Sequence, residues 1–302
     1  MPLDRPVLGI TLMLGFCIIA PLSDAIAKLL GGSMPLAQLL FFRFLAQALL
    51  LSPMVWWSGG SLWLKGRVFR LSLLRAFLHI AGVAVMFSSL RYLPLADAVA
   101  IAFVMPFIML LLGRMVLKEE IGPRRLIACV AGFVGTLLVI KPSFAEVGLP
   151  ALLPLGTAII FALFILVTRM IAKACDPITI QATNGIYVTF GMGIAYLLSI
   201  GDPDTVFSMT PLEGTDLYLL IAICFIGTYA HLLMTWSLRF APAATLAPMQ
   251  YLEIPVATLL GWLIFSDLPD GLAALGIAIT MGSGLYVVHR ERANARLVPA
   301  ET

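Results

Sequence analysis

The sequence contains one short passage twice. Leu90–Ala100 reads LRYLPLADAVA, and 148 residues later Leu238–Pro248 reads LRFAPAATLAP. Leucine, arginine, proline and alanine recur at matching places, and Tyr92 is replaced by another aromatic residue, Phe240. The same shift also aligns two further places, namely Leu111-Leu112-Gly113 with Leu259-Leu260-Gly261 and Glu119 with Asp267. The 302-residue chain therefore contains two related halves.

Composition indicates that both halves lie in a membrane. The chain is 61% hydrophobic and 12% charged, with a mean hydropathy of +1.03, whereas soluble proteins are about 25% charged. A membrane-spanning helix needs about 20 apolar residues, and lipid leaves only helices or closed barrels as spanning structures. We predict an all-α integral membrane protein with ten transmembrane helices. These segments 1 to 10 are 7–29, 36–57, 71–90, 95–116, 125–141, 149–170, 179–200, 216–238, 243–265 and 271–289.

Lysine and arginine are distributed unevenly between the two ends of the predicted segments. If the amino terminus is cytoplasmic, only Lys28, Arg91 and Lys141 of the nineteen lie on the outer side, while Arg43 lies within segment 2. Cytoplasmic loops are enriched in these residues, so both termini are predicted to be cytoplasmic. The inner-side residues are Arg5, Lys65, Arg67, Arg70, Arg75, Arg114, Lys118, Arg124, Arg125, Arg169, Lys173, Arg239, Arg290, Arg292 and Arg296.

The repeat and the charges together predict two inverted halves. Segments 3 to 5 match segments 8 to 10, so the unit is five helices. Because five is odd, the two copies must cross the membrane in opposite directions. The loop between segments 2 and 3 is basic, whereas its counterpart between segments 7 and 8 has only the acidic residues Asp202, Asp204, Glu213 and Asp216. Inverted repeats are typical of transporters in which a central site faces each side of the membrane in turn.

Four stretches within the segments and their connections carry a family pattern. They are FFRF at Phe41–Phe44, LPLADAVAIAFVMPF at Leu93–Phe107, LKEE at Leu117–Glu120 and ATLAPMQYLEIPVATLLGWLIFSD at Ala244–Asp267. Together they resemble the EamA domains of the drug/metabolite transporter superfamily. The resemblance implies a ten-helix carrier in the bacterial inner membrane, with segments 1, 3, 4, 6, 8 and 9 facing a central cavity. We divide the chain into EamA-like repeats at 1–142 and 143–290 and a cytoplasmic tail at 291–302.

The predicted function is transport of a small heteroaromatic metabolite. The LAP-x-x-YLE pattern at 246–253 is most similar to the branch containing S-adenosylmethionine uptake proteins, and riboflavin carriers belong to the wider family. Uptake by alternating access is the prediction. The alternatives are an exporter of amino acids or other metabolites in the same family and, in another class, an intramembrane enzyme or a channel. Substrate, direction and energy coupling (proton symport, exchange or facilitated diffusion) stay open.

Polar and aromatic side chains inside the segments are the candidates for the substrate site, because a charge at the centre of a spanning helix costs about 2.5–3.5 kcal/mol. Glu253 and Gln250 lie three residues apart on one helix face. The predicted binding residues are Glu253, Gln250, Tyr251, His79, His231, Trp236, Phe103 and Asp24. Pro106 and Pro255 lie inside segments 4 and 9 and are predicted to kink or loosen a gating helix.

Most of these residues also have a structural interpretation. Glu253 and the two histidines can be read as hydrogen-bonding groups between helices, and Asp24 as the partner of Lys28 at a helix end. Arg43 is interpreted as a snorkelling or structurally paired side chain. Small residues four apart, Ala128 and Gly132 in segment 5 and Gly276 and Thr280 in segment 10, favour close helix packing, either within the chain or at a dimer surface.

Other chemistries lack their sequence signals. The four cysteines show no metal or redox spacing, and no P-loop for ATP is present. We therefore predict no enzyme activity, no cofactor and no metal. No basic patch is large enough to follow nucleic acid. The expected partners are a small metabolite and the lipid bilayer, and the chain is expected to be a monomer or a homodimer.

Overall fold

The computed structural model describes residues 5–116, 123–200 and 205–297, and within these ranges the chain is helical without a strand. Two 3₁₀ turns, Leu149–Leu152 and Ala247–Leu252, precede α7 and α11. The helices are α1 (Pro6–Leu30), α2 (Leu36–Trp57), α3 (Gly66–Ser89), α4 (Leu95–Ala102), α5 (Met105–Val116), α6 (Pro123–Val147), α7 (Leu153–Ala172), α8 (Pro177–Leu198), α9 (Gly214–Phe240), α10 (Ala243–Leu246), α11 (Glu253–Phe265) and α12 (Gly271–Leu297).

Helix occurs in each of the ten predicted segments, and six helical stretches are long and apolar enough to cross a membrane. These are Pro6–Leu30, Leu36–Trp57, Gly66–Ser89, Leu126–Val147, Leu149–Ala172 and Gly214–Phe240. Shorter apolar stretches are Leu95–Met109, Met249–Phe265 and Gly271–Ser283. The 22-residue α8 is not among the six, and its first turns contain Gln181, Thr183 and Asn184. The multi-pass membrane fold is therefore supported, while the count of ten crossings stays a prediction.

Some predicted features lie partly or wholly outside the described residues. The predicted tail at 291–302 is helical at 291–297, where it continues α12, and its cytoplasmic position stays a prediction. The LKEE stretch at 117–120, the acidic residues Asp202 and Asp204, and residues 298–302 are not described.

Segments 4 and 9 are interrupted close to the two prolines. The α-helix stops at Ala102 and resumes at Met105, so that Pro106 lies in the first turn of α5. In segment 9 the 3₁₀ turn Ala247–Leu252 separates α10 from α11, and Pro255 lies in the first turn of α11. Because proline has no N–H to donate and its ring clashes with the preceding turn, it is tolerated at a helix start. Both segments are thus interrupted just before a proline, and the predicted kinking or loosening of a gating helix stays a prediction.

The two ends of the bundle are identified by the contacts of α1. We call the end where α1 begins the near side; there the Arg5 N–H donates to the Phe240 carbonyl at the end of α9 (2.9 Å). We call the other end the far side; there the Lys28 ammonium, near the end of α1, donates to the Leu93 carbonyl just before α4 (3.1 Å). Exposed tryptophans, Trp56, Trp57 and Trp63, lie at the near-side end of α2 and in the loop that follows, as is common at a membrane–water interface.

The helices pack in pairs that match between the two halves. α1 packs against α9, and α7 packs against α3; α2 packs against α8, α4 against α11 and α6 against α12. Every one of these pairs joins a helix of the first half to one of the second. The core of the protein is therefore formed between the halves, which places any central site between them.

The small-residue seams pack against each other inside the chain. The Thr280 hydroxyl donates to the Gly132 carbonyl (3.3 Å). A Cβ atom built at Gly135 would lie 2.6 Å from the Gly276 carbonyl oxygen, too close for any side chain. Glycine at these positions lets the backbones of α6 and α12 touch. The seams thus serve mutual packing, and this surface is not available to a second copy of the chain.

Candidate functional site

A cavity with about 780 Å³ of space not occupied by protein atoms, including the part at its mouth, lies between the two halves. Its wall is formed by α1, α2, α3, α4, α7 and α9 together with the broken regions of segments 4 and 9. Four phenylalanines contribute to the wall, namely Phe16, Phe87, Phe103 and Phe161. The polar side chains in the wall are Ser23, Asp24, Arg43, Thr157, His231, Gln250 and Glu253. This apolar wall with a few polar groups is typical of a small-molecule site.

Glu253 and Gln250 both line the cavity, because the 3₁₀ turn places residues three apart on the same side. Glu253 is also the first residue of α11, where the helix dipole favours a negative charge. Its Oε1 atom is buried and has no hydrogen-bond partner among the described residues. The break in segment 9 therefore presents a carboxyl group to the cavity with bonding capacity unused by the protein.

Three further predicted residues, Asp24, His231 and Phe103, also line the cavity. The expected ion pair between Asp24 and Lys28 is wrong for this structure. The Lys28 ammonium instead binds the Asp267 carboxylate at 3.1 Å on the far side. This contact leaves the Asp24 carboxyl group facing the cavity from α1.

The other predicted binding residues, Trp236, Tyr251 and His79, do not line the cavity. In α9 the cavity-facing positions are 227, 230, 231 and 234, and Trp236 is five residues beyond His231, which turns it to another face. Tyr251 lies between Gln250 and Glu253 but one residue out of their 3₁₀ register; its ring packs on Phe103, with centroids 5.4 Å apart. His79 is fully buried behind the wall, where its ring contacts that of His231 (4.2 Å).

Arg43 also faces the cavity, although the sequence was interpreted as placing it at the membrane surface or in a structural pair. It is 2% exposed, so it does not snorkel to the membrane surface, and it lines the cavity from α2. Its guanidinium lies over the rings of Phe44 (5.3 Å) and Phe87 (5.9 Å). The Nε and Nη1 atoms are buried without hydrogen-bond partners in the described part of the chain. A buried arginine with unused donors is costly unless something else binds it.

A second arginine forms a polar cluster on the near side of the cavity, which we call the Arg75 cage. Arg75 was counted among the residues of the inner surface, but its side chain is fully buried. Its guanidinium donates to Thr168 (2.8 Å) on α7, to Asn184 (2.9 Å) and Gln181 (3.0 Å) on α8, and to Thr235 (3.2 Å) on α9. The cage thus ties α3 to three helices of the second half without any carboxylate.

The Arg75 cage is connected to the cavity wall through the two histidines. The Asn184 amide nitrogen lies 2.9 Å from His79 Nδ1, and the His79 ring in turn packs against His231, which lines the cavity. These contacts extend from the cavity towards the near side. The candidate histidines therefore differ in position: His231 can touch a ligand, whereas His79 links the wall to the cage.

The far side has its own polar contacts. The Lys28–Asp267 ion pair joins α1 to the loop after α11, and the Ser143 hydroxyl of α6 donates to Asp97 of α4 (2.9 Å). The cavity therefore lies between the Arg75 cage on one side and the Lys28–Asp267 pair on the other. Within the described residues, no group of three or more histidine, cysteine, aspartate or glutamate side chains could hold a metal ion.

Residues 148 positions apart line the cavity together. The pairs are Val83 with His231, Met86 with Met234, Ala102 with Gln250 and Met105 with Glu253. In addition, the rings of Phe103 and Tyr251, also 148 apart, are in contact. Equivalent positions of the two halves thus converge on one site, and except for the two methionines their side chains differ.

Comparison with known proteins identifies the origin of the two halves. The sequence profile described as the EamA-like transporter family matches the chain twice, at residues 7–141 and 148–288. The chain belongs to the EamA-like transporter family. Its two EamA repeats account for the recurring passage at Leu90–Ala100 and Leu238–Pro248.

Curated relatives of this EamA-family chain are named as transporters of different compounds. A riboflavin transporter of Brucella anthropi is 26% identical over 87% of this chain and 91% of its own length. An S-adenosylmethionine uptake transporter of Rickettsia prowazekii is 23% identical over 94% and 93%. The pseudopaline exporter CntI of Pseudomonas aeruginosa is 24% identical over 84% and 86%. A protein of known crystal structure superimposes with a TM-score of 0.68 at 17% identity, covering 95% of this chain and 97% of that one, which supports the fold.

Proposed function

We propose that this EamA-family chain is a secondary transporter of the bacterial inner membrane that takes up a small heteroaromatic metabolite by alternating access. The substrate is S-adenosylmethionine-like or riboflavin-like. The observation that carries the proposal is the cavity between the repeats, with its phenylalanine wall and the unpartnered carboxyl oxygen of Glu253. Aromatic side chains stack on flat rings, and the few polar groups fix orientation.

The proposed architecture is ten spanning segments in two five-helix repeats of opposite orientation, bounded at 1–142 and 143–290, with both termini cytoplasmic. The helix packing supports a symmetry between the repeats, in which each helix of one repeat takes the place of its counterpart in the other. Swapping each helix for its counterpart turns the α1–α9 pair into the α7–α3 pair and the α4–α11 pair into the α10–α5 pair, and it leaves α2–α8 and α6–α12 as pairs. A site between two such halves is the arrangement expected for alternating access.

Transport is tested with the purified protein in liposomes. We expect saturable accumulation of labelled riboflavin or S-adenosylmethionine when a solute or proton gradient is imposed, without any nucleotide, because the sequence has no P-loop. The solute recovered should be chemically unchanged. Alteration of the solute would indicate an enzyme, unsaturable flux a channel, and strict dependence on ATP hydrolysis a different transporter class. Comparing right-side-out with inside-out vesicles separates uptake from export, the direction named for the Pseudomonas relative.

Orientation is tested with single cysteines in a variant that lacks the four native ones. A cysteine at Ser208, exposed in the loop before α9, should react with an impermeant thiol reagent added to intact cells. A cysteine at Ser61, exposed in the loop before α3, should react only after the membrane is opened. If the native cysteines were kept, the loop residue Cys175 would add a slow background, since burial and then the neighbouring Asp176 charge raise the pKa of its thiol. The reverse labelling pattern would contradict the proposed topology.

A further inference from the structure

Three ionisable side chains line the cavity, and two of them, Arg43 and Glu253, have buried polar atoms without a hydrogen-bond partner in the described part of the chain. Arg43 presents its buried Nε and Nη1 atoms from α2, while Asp24 on α1 and Glu253 on α11 present carboxyl groups. Together they come from three different helices, α1, α2 and α11, and line one and the same cavity. All three are described residues, and no hydrogen bond or ion pair joins any two of them. One basic and two acidic groups therefore surround the same space without neutralising one another by contact.

The position of the Arg43 guanidinium is fixed by its surroundings. It lies against the backbone of Gly227, where an added Cβ atom would come within 2.6 Å of Nε and 2.9 Å of Nη2. The rings of Phe44 and Phe87 cover it from other directions, as arginine prefers. Glycine at position 227 therefore leaves room for the guanidinium beside the cavity rather than elsewhere in the bundle.

The charge arrangement selects among ligand types. A purely cationic ligand would satisfy the carboxyl groups and leave Arg43 buried without an anion, whereas a purely anionic ligand would do the reverse. Each unpaired buried charge is costly. An uncharged ring system would pair with neither the guanidinium nor the carboxyl groups. A molecule that contains an ammonium and a carboxylate close together satisfies both, and arginine binds carboxylates by paired, charge-assisted hydrogen bonds.

We infer that Arg43, Asp24 and Glu253 form a zwitterion site, in which Arg43 binds the carboxylate of an α-amino acid group and the Asp24–Glu253 pair binds its ammonium. This inference rests on the proposed function and narrows it: the phenylalanine wall takes the ring of the substrate, and the zwitterion site takes an amino acid group attached to it. S-adenosylmethionine has such a group, and riboflavin does not.

Binding of matched ligand pairs to the full-length protein in lipid nanodiscs tests the zwitterion site. The first pair is S-adenosylmethionine and its decarboxylated form, and the second is methionine and 3-(methylthio)propylamine. The members of each pair differ only in the carboxylate. We expect the wild-type protein to prefer the carboxylate-containing member of at least one pair by about tenfold or more, the size of a hydrogen bond to a charged group.

Arg43→Gln should reduce this preference to less than about threefold, because the carboxylate then loses its charged partner. Gly227→Ala should act in the same way with the arginine still present, since the added methyl group displaces the guanidinium. Arg43→Lys should be intermediate, because an ammonium cannot bind bidentately. Matched controls are Arg239→Gln, which removes a surface arginine, and Gly156→Ala, where a Cβ atom meets only Val85 at 3.7 Å. Both controls should retain the wild-type preference.

The outcomes separate this inference from the proposed function. Equal binding within both pairs, or no binding of either carboxylate-containing ligand, would overturn the zwitterion site. Retention of the preference in a well-folded Arg43→Gln protein would also overturn it. If riboflavin binds while both pairs show no preference, the proposed function stands and the inference fails. If only the methionine pair shows an Arg43-dependent preference, the zwitterion site stands and the heteroaromatic substrate is wrong.

Discussion

Glu253→Gln is expected to lower the initial rate of transport by at least about tenfold, while the protein still inserts and folds. Glutamine keeps the size of the side chain and can still hydrogen-bond from the first turn of α11, but it cannot carry the charge that a cationic group requires. Glu253→Asp should retain part of the activity, because it keeps the carboxyl group with a shorter reach. The measurement is the initial rate of substrate uptake into liposomes, with the amount of inserted protein determined in parallel.

Glu213→Gln is the matched control for this experiment, since Glu213 is exposed just before α9 and its side chain does not cap that helix. It should transport at the wild-type rate. If Glu253→Gln also transports at that rate from about pH 5.5 to about pH 8, the carboxyl group of Glu253 is only a structural hydrogen-bonding group. The assignment of segment 9 to the substrate site would then lose its main support.

Arg75→Gln should destabilise the near side of the bundle. The substitution removes the cation that bonds Thr168, Asn184, Gln181 and Thr235, and these groups would be left partly unsatisfied in the interior. A lowering of the thermal unfolding midpoint by roughly 5 °C is expected. Arg75→Lys should lose less, because it keeps the charge but not the planar set of donors. Unfolding followed by tryptophan fluorescence in detergent measures the difference.

A cysteine placed in the cavity wall tests whether the Arg75 cage also affects which side of the cavity is open. In an alternating-access protein, weakening the near-side tie favours the state open to the near side. A cysteine replacing Met234, which lines the cavity, should therefore react faster with a reagent added on the near side when Arg75→Gln is present. The matched control is Asp267→Asn, which weakens the far-side ion pair and should not raise near-side labelling. Equal labelling in all three proteins would mean that the Arg75 cage is structural only.

The sequence could predict part of this site because some signals are local. The spacing of Gln250 and Glu253 is short enough to place them on one face in either an α- or a 3₁₀-helix, and both line the cavity. Tyr251 and Trp236 were predicted from proximity in the chain, but the helical geometry turns them away. For Trp236 this could have been seen in the sequence, because a residue five positions after His231 lies on another face of an α-helix. For Tyr251 the 3₁₀ turn could not be read from the sequence.

The two arginines could not be placed from local patterns, because their positions depend on distant residues. Arg43 stays at the cavity since Gly227, 184 positions later in the chain, has no side chain that would displace its guanidinium. Arg75 is held by uncharged side chains, so its partners carry no charge that would mark them in the sequence. A lysine or arginine near a predicted helix end is normally counted as a surface charge, and here the tertiary contacts override that rule.

The 148-residue pairs in the cavity wall show how unequally the two copies have specialised. At three equivalent positions the first repeat supplies Val83, Ala102 and Met105, where the second supplies His231, Gln250 and Glu253. At these positions the second copy carries the polar groups and the first provides shape, whereas the polar groups Asp24 and Arg43 of the same cavity come from the first copy. Because the two copies need not match at the cavity, a substitution in either one can alter the wall while the α6–α12 contact between the copies stays unchanged.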